Sequence, residues 1–86
     1  MDRLDNLTYV FNVVRKDLLS VTLPGEEQKA ATDLLQSAGG ELAHISASSM
    51  LVPGAEREEL IFSIVEFLAT LDEKYLVKIV KTCQSL

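Results

Sequence analysis

The chain is poor in the residues that carry most site chemistry. Cys83 is its one cysteine and His44 its one histidine in 86 residues. A single cysteine excludes an internal disulfide, and one cysteine with one histidine cannot complete a four-ligand zinc site. There is no Walker loop, dinucleotide fingerprint, EF-hand ligand ladder, HExxH or CxxC. The sequence therefore points away from an enzyme and implies no cofactor, metal or small-molecule substrate. Base is scarce too: eight Lys and Arg stand against thirteen Asp and Glu, a net charge of −5. Phosphate neutralisation dominates non-specific nucleic-acid binding, so nucleic acid is a disfavoured partner. No uncharged apolar run approaches the roughly 18 residues that span a bilayer. Met1-Asp2-Arg3 leads into a charged segment rather than a leader, so a cytoplasmic location with no membrane association is the expectation. Glycine and proline fall at three places only, Pro24-Gly25, Gly39-Gly40 and Pro53-Gly54.

What is present in quantity is apolar surface. Hydrophobic residues make up 48% of the chain and mean hydropathy is +0.19. A domain this short buries only about 60–65% of its unfolded surface. The surplus points to self-association. Residues 22–50 and 51–71 each carry a net charge of −3, segment 72–86 carries +1, and 1–21 is neutral.

The densest apolar stretch lies between Ala55 and Leu86 and reads as a helical hairpin. At 100° per residue, the apolar residues from Leu60 to Leu71 cover roughly 220° of a helix surface. Only Glu59, Ser63, Glu66 and Thr70 form a polar strip. An outer bundle helix shows a stripe little wider than 100°, so this one must be covered on two sides, either as the middle of the bundle or as an oligomer interface. Leu60, Ile64, Val65, Phe67 and Leu68 are accordingly the candidate residues for a dimer or partner interface. Pro53-Gly54 stops the preceding segment, and Glu56, Glu58 and Glu59 place acid at the helix start. Asp72 is a natural N-cap for a last helix, with Leu71 and Leu76 at the positions of a hydrophobic staple. In that helix Leu76, Ile79, Val80, Cys83 and Leu86 turn inward, while Lys74, Lys78 and Lys81 share the opposite side. The run Tyr75 to Val80 is rich in β-branched residues, but its length and charge spacing favour helix.

Upstream, residues 3–21 form one helix, with Asp2 or Asp5 near its start. Its stripe is Leu4, Leu7, Val10, Phe11, Val14, Leu18 and Val21, within roughly 120°, leaving Tyr9, Val13 and Leu19 outside as scattered surface residues or, with the apolar excess of the central helix, part of a partner surface. Thr22 to Gly25 connects to a second helix over about 24–50, with Glu26 and Glu27 at its start. Ala31, Leu34, Leu35, Ala38, Leu42, Ile45 and Ser49 keep one register through Gly39-Gly40, the one point where it could break. Its small residues, Ala38 to Ala43 among them, suit close helix packing. His44 points away from that stripe, and Cys83 reads as a buried small hydrophobe.

Arg57-Glu58-Glu59-Leu60-Ile61, then Ile64-Val65-Glu66-Phe67-Leu68, then Leu71-Asp72-Glu73-Lys74-Tyr75-Leu76-Val77-Lys78-Ile79-Val80 resembles the C-terminal helical pair of small regulatory or mobile-element proteins of Gram-positive bacteria. The resemblance covers about a third of the chain and implies a bacterial, cytoplasmic, regulatory protein. It carries over no functional residue, and Val80 stands where those proteins usually have an aromatic.

The sequence thus predicts a single all-α domain of three or four helices (about 3–21, 24–50, 55–71 and 73–85). It predicts a homodimeric, non-enzymatic protein–protein interaction module acting through an apolar helix face. The alternatives are a small DNA-binding regulator using the Lys-bearing last helix, and a carrier of an apolar ligand in a gap around Ala38 to Ala43.

Overall fold

A computed structural model describes residues 3–21, 26–46 and 49–86. Among them the chain forms four α-helices, α1 (Arg3–Val21), α2 (Glu26–Ser46), α3 (Gly54–Thr70) and α4 (Glu73–Gln84), with a 3-10 turn at Ser49–Leu51 between α2 and α3. There is no strand among these residues, and Tyr75 to Val80 is helical. The expected roles of Asp2, of 22–25 and of the 47–48 stretch lie outside the described residues. So do those of the side chains of Val21, Glu26, Glu27 and Ser49.

The helices form a square in which α1 packs on α2 and α3, and α4 packs on the same two. Thus α1 faces α4 across one diagonal and α2 faces α3 across the other. Consecutive helices α2 and α3 are not neighbours, and the 3-10 turn with buried Val52 carries the chain between them. The body measures 38 × 23 × 21 Å. Leu4, Phe11, Leu42, Leu60, Ile64 and Ile79 are wholly buried at its centre.

Contacts fix the directions. Phe62 meets Tyr75, and Glu59 meets Lys78 one turn on, so α3 and α4 run antiparallel. Asn12 and Arg15 lie against Gly39, whereas Asp5 shares a groove with Ser46, so α1 and α2 are antiparallel too. The ends of α2 and α4 share one groove, which makes that pair parallel. It follows that α1 and α3 are parallel.

The tight joint between α3 and α4 is built from local hydrogen bonds. The Lys74 backbone N–H donates to Asp72 Oδ1 at 3.0 Å, the N-cap expected of Asp72. Thr70 Oγ1 donates to the Glu66 carbonyl at 2.8 Å and accepts from the Asp72 N–H at 3.2 Å. Leu71 turns the chain with φ 59° and ψ 25°, its N–H donating to the Phe67 carbonyl at 2.6 Å. It is half exposed rather than tucked against Leu76.

Several expectations need correction. α2 is described as far as Ser46, and Ser49–Leu51 form a separate 3-10 turn, so the helix does not run on to residue 50. As the unbroken register leads one to expect, it runs continuously through Gly39-Gly40. Arg15 lies against Gly39, its Cδ 2.6 Å from where a Cβ would stand, so the missing side chain admits an α1 arginine. On α1 the buried stripe is rotated. Thr8 is buried and Val10 is exposed, because Thr8 Oγ1 donates to the Leu4 carbonyl at 2.9 Å and so satisfies itself within the helix. Leu19, expected outside, packs on the core. Ser63, expected on a solvated strip, is wholly buried, and its hydroxyl has no hydrogen-bond partner. Leu86 lies beyond the end of α4 and is half exposed rather than inward.

Two outcomes test this geometry. A leucine at positive φ crowds its Cβ against the backbone, at a cost of about 1 kcal/mol. Leu71→Gly should leave urea stability unchanged or raise it by up to about that amount, and β-branched Leu71→Val should lower it. Because an unpaired buried hydroxyl costs about 1–3 kcal/mol, Ser63→Ala should raise the unfolding free energy by about 1 kcal/mol or more in urea titrations. Ser63→Asp should instead largely unfold the chain; a tolerated aspartate would show that Ser63 is solvated.

Candidate interaction surface

The five residues singled out on α3 part company in the structure. Leu60, Ile64 and Phe67 are buried within the single chain, Leu68 is partly buried against the same core, and only Val65 reaches the surface, 39% exposed. The wide apolar arc is covered on two sides as expected, by α1 and α4 of the same chain, which is the bundle-centre alternative rather than the oligomer interface. Leu60, Ile64 and Phe67 therefore cannot serve as a contact surface without opening the bundle. Replacing any of them by alanine would cost about 2–5 kcal/mol of folding free energy.

Phe62, 49% exposed, also lies on α3, but α4 shields it. The Tyr75 ring meets it edge-on at 6.2 Å, and Lys78 Nζ lies 5.8 Å from its centroid while standing 4.0 Å from Glu59. Lys74 Nζ is likewise 5.1 Å from the Tyr75 centroid and 4.0 Å from Asp72. Two of the three lysines on the exposed side of α4 thus already have an acidic and an aromatic neighbour. Lys81 is exposed beside them.

Open apolar surface occurs at the crossover, where Met50 and Leu51 are exposed, at Tyr9 beside the α1–α2 groove, and along α1 and α3, where it spans two packed helices. Val10 is 43% and Val13 44% exposed on the outer side of α1. On a helical wheel Asp5, Thr8 and Asn12 point towards α2, with which they share a groove, so Val10 falls on the opposite flank, towards α3. On α3, Phe62 and Glu59 mark the α4 side, and Val65 falls on the flank towards α1. The Phe11 and Phe67 rings, 5.6 Å apart, set Val10 level with Val65. Partly buried Leu7 and Leu68 floor the seam between them. Sequence reasoning missed Val10 because valine is indistinguishable from a core residue by type; the signal lay in Thr8 and Arg15, which occupy the wheel positions facing the bundle.

A second feature is a groove of about 620 Å³ at the bundle end, where Glu41 and His44 of α2, Glu56 of α3 and Cys83 of α4 meet beside the crossover. His44 is exposed, as expected, and Cys83 is buried. Burial pushes the Cys83 thiol up to about 11, and Glu41 adds to the shift through its negative charge. The thiol is therefore protonated and weakly nucleophilic at neutral pH. Among the described residues no group of three metal-ligating side chains occurs, and no helix is long and apolar enough to cross a membrane.

No protein-family model matches the chain, and neither curated proteins nor solved structures show a match to it.

Cys83 gives a pH signature of this end of the bundle. Its folded pKa lies above the ordinary 9.0. The corresponding stability is complete below pH 9 and falls as pH rises towards 11, because the unfolded chain releases the proton first. Thermal midpoints should therefore drop over that interval more steeply for the natural chain than for Cys83→Ala, and iodoacetamide at pH 8 should label the thiol far more slowly in buffer than in denaturant.

Proposed function

We propose that this chain is a non-enzymatic protein–protein interaction module, a small regulatory or adaptor protein, and that the α1–α3 face is where it binds. The observation that carries the reading is the exposure of Val10, Val13 and Val65 on neighbouring parallel helices, above a seam already floored by leucine. Apolar side chains scattered singly are ordinary on a protein surface, but a contiguous patch on two packed helices is the kind of surface that receives another helix. The acids of 22–71 give the module an acidic setting, which favours solubility and rejects polyanions. Nucleic acid fits less well as a partner, since the net charge is −5 and Lys74 and Lys78 are engaged at the helix pair. A salt-sensitive shift of random duplex DNA at low salt would favour that alternative instead.

The test is a photo-crosslinking amino acid placed at Val65 and, as a control, at exposed Gln36 on α2. Irradiation of the full chain, alone and in cell extract, should yield defined adducts from position 65, and Val10→Asp should abolish them. Equal adducts from both positions, or adducts indifferent to Val10→Asp, would overturn the reading.

A further inference from the structure

Resting on that reading, we infer that the occupant of the α1–α3 face is a second copy of this chain, its α1 lying antiparallel to the first across a two-fold axis at Val10. The evidence is a charge pattern along α1 that is complementary to itself. Arg3, Val10 and Asp17 are spaced by seven residues, so they line up within about 40° of one another, with about 10.5 Å of rise between each. Arg3 and Asp17 are both exposed, and neither has an ion-pair partner among the described residues. Each also opposes the dipole of its own helix: Arg3 begins α1, where the axis is positive, and Asp17 lies in its C-terminal part, where the axis is negative. An antiparallel α1 from a second copy reverses both relations. Arg3 then meets Asp17 of the second copy and the negative part of its helix, and the same contact repeats at the other end. Val10 meets Val10 of the second copy at the centre, and Leu7 meets Val13 of the second copy on either side.

An isologous two-fold interface must be complementary to itself, residue i meeting j and j meeting i, and a palindrome of charge about an apolar centre meets that condition. An unrelated partner imposes no such condition. Val65, level with Val10 across the seam, extends the same apolar face onto α3, which lets it join the contact without opening the core.

Light scattering and sedimentation of the full chain across a hundredfold concentration range test the inference. The natural chain should dimerise, and Val10→Asp should be monomeric at all concentrations with an unchanged circular dichroism spectrum. Arg3→Asp and Asp17→Arg should each raise the dimer Kd by about tenfold, since each sets two like-charged pairs against each other. The double variant should restore association to within about threefold. Mixing the two single variants should restore it as well, because each chain then meets opposite charge at both ends. A dimer that ignores Val10→Asp, or single variants that neither the double variant nor mixing rescues, would place the dimer elsewhere and overturn this inference. A chain that stays monomeric while position 65 still gives adducts sensitive to Val10→Asp would also overturn it, yet leave the interaction-module reading standing with a different occupant. Failure of both experiments would remove both.

Discussion

The contact between the Phe11 and Phe67 rings, 5.6 Å apart and tilted by 48°, is the constraint on which the rest of this bundle depends. Of the other helices, α1 packs only on α2 and α3, and this pair of rings joins the first helix to the C-terminal hairpin. An aromatic pair of this kind contributes about 0.5–1.5 kcal/mol beyond the area it buries. Its larger effect is positional. By fixing the level of α1 against α3, it closes the core over Leu60 and Ile64 on the inner side of the seam and sets Val10 beside Val65 on the outer side. Core and exposed face are therefore two sides of one helix pairing.

What was legible in the sequence follows from how local each rule is. Four helices, the Asp72 cap and the inward set Leu76, Ile79 and Cys83 depend on spacing within a few residues, and the structure has them. The continuity of α2 was legible because its apolar register did not slip at Gly39-Gly40. The identity of the exposed face was not, because a 220° apolar arc states how much of α3 must be covered and not which helices cover it. Phe62 and Phe67 are equally apolar, yet one is shared with α4 at the surface and the other sits against Phe11. Thr8 and Ser63 misled in the same way. A threonine that bonds to its own helix is, for packing, a small apolar residue, and a serine can be buried where its neighbours leave no room for more.

The crossover gives the molecule two chemically different ends. At the joint of α3 and α4, Thr70, Leu71 and Asp72 satisfy the backbone within a few residues. At the other end the chain must pass diagonally from α2 to α3, and a groove opens beside the turn. Glu41, His44, Glu56 and Cys83 meet there, a set that on paper suggests catalysis. There, burial and an acidic neighbour both disfavour the Cys83 thiolate. The groove follows from the connection, whereas the apolar face follows from residue choice along two helices.

That distinction bears on stability as well as on binding. An 86-residue bundle has a thin margin, and this one also carries a left-handed leucine and an unpartnered buried hydroxyl. Whatever binds only the folded chain adds to its stability in proportion to the logarithm of its concentration over Kd. A face centred on α1 is well placed for this, because α1 is the helix held to the hairpin through the Phe11–Phe67 seam that the face overlies. On the proposed reading, covering Val10 and Val65 would remove apolar surface from water and at once strengthen the docking of α1, so that association and folding would draw on the same pair of helices.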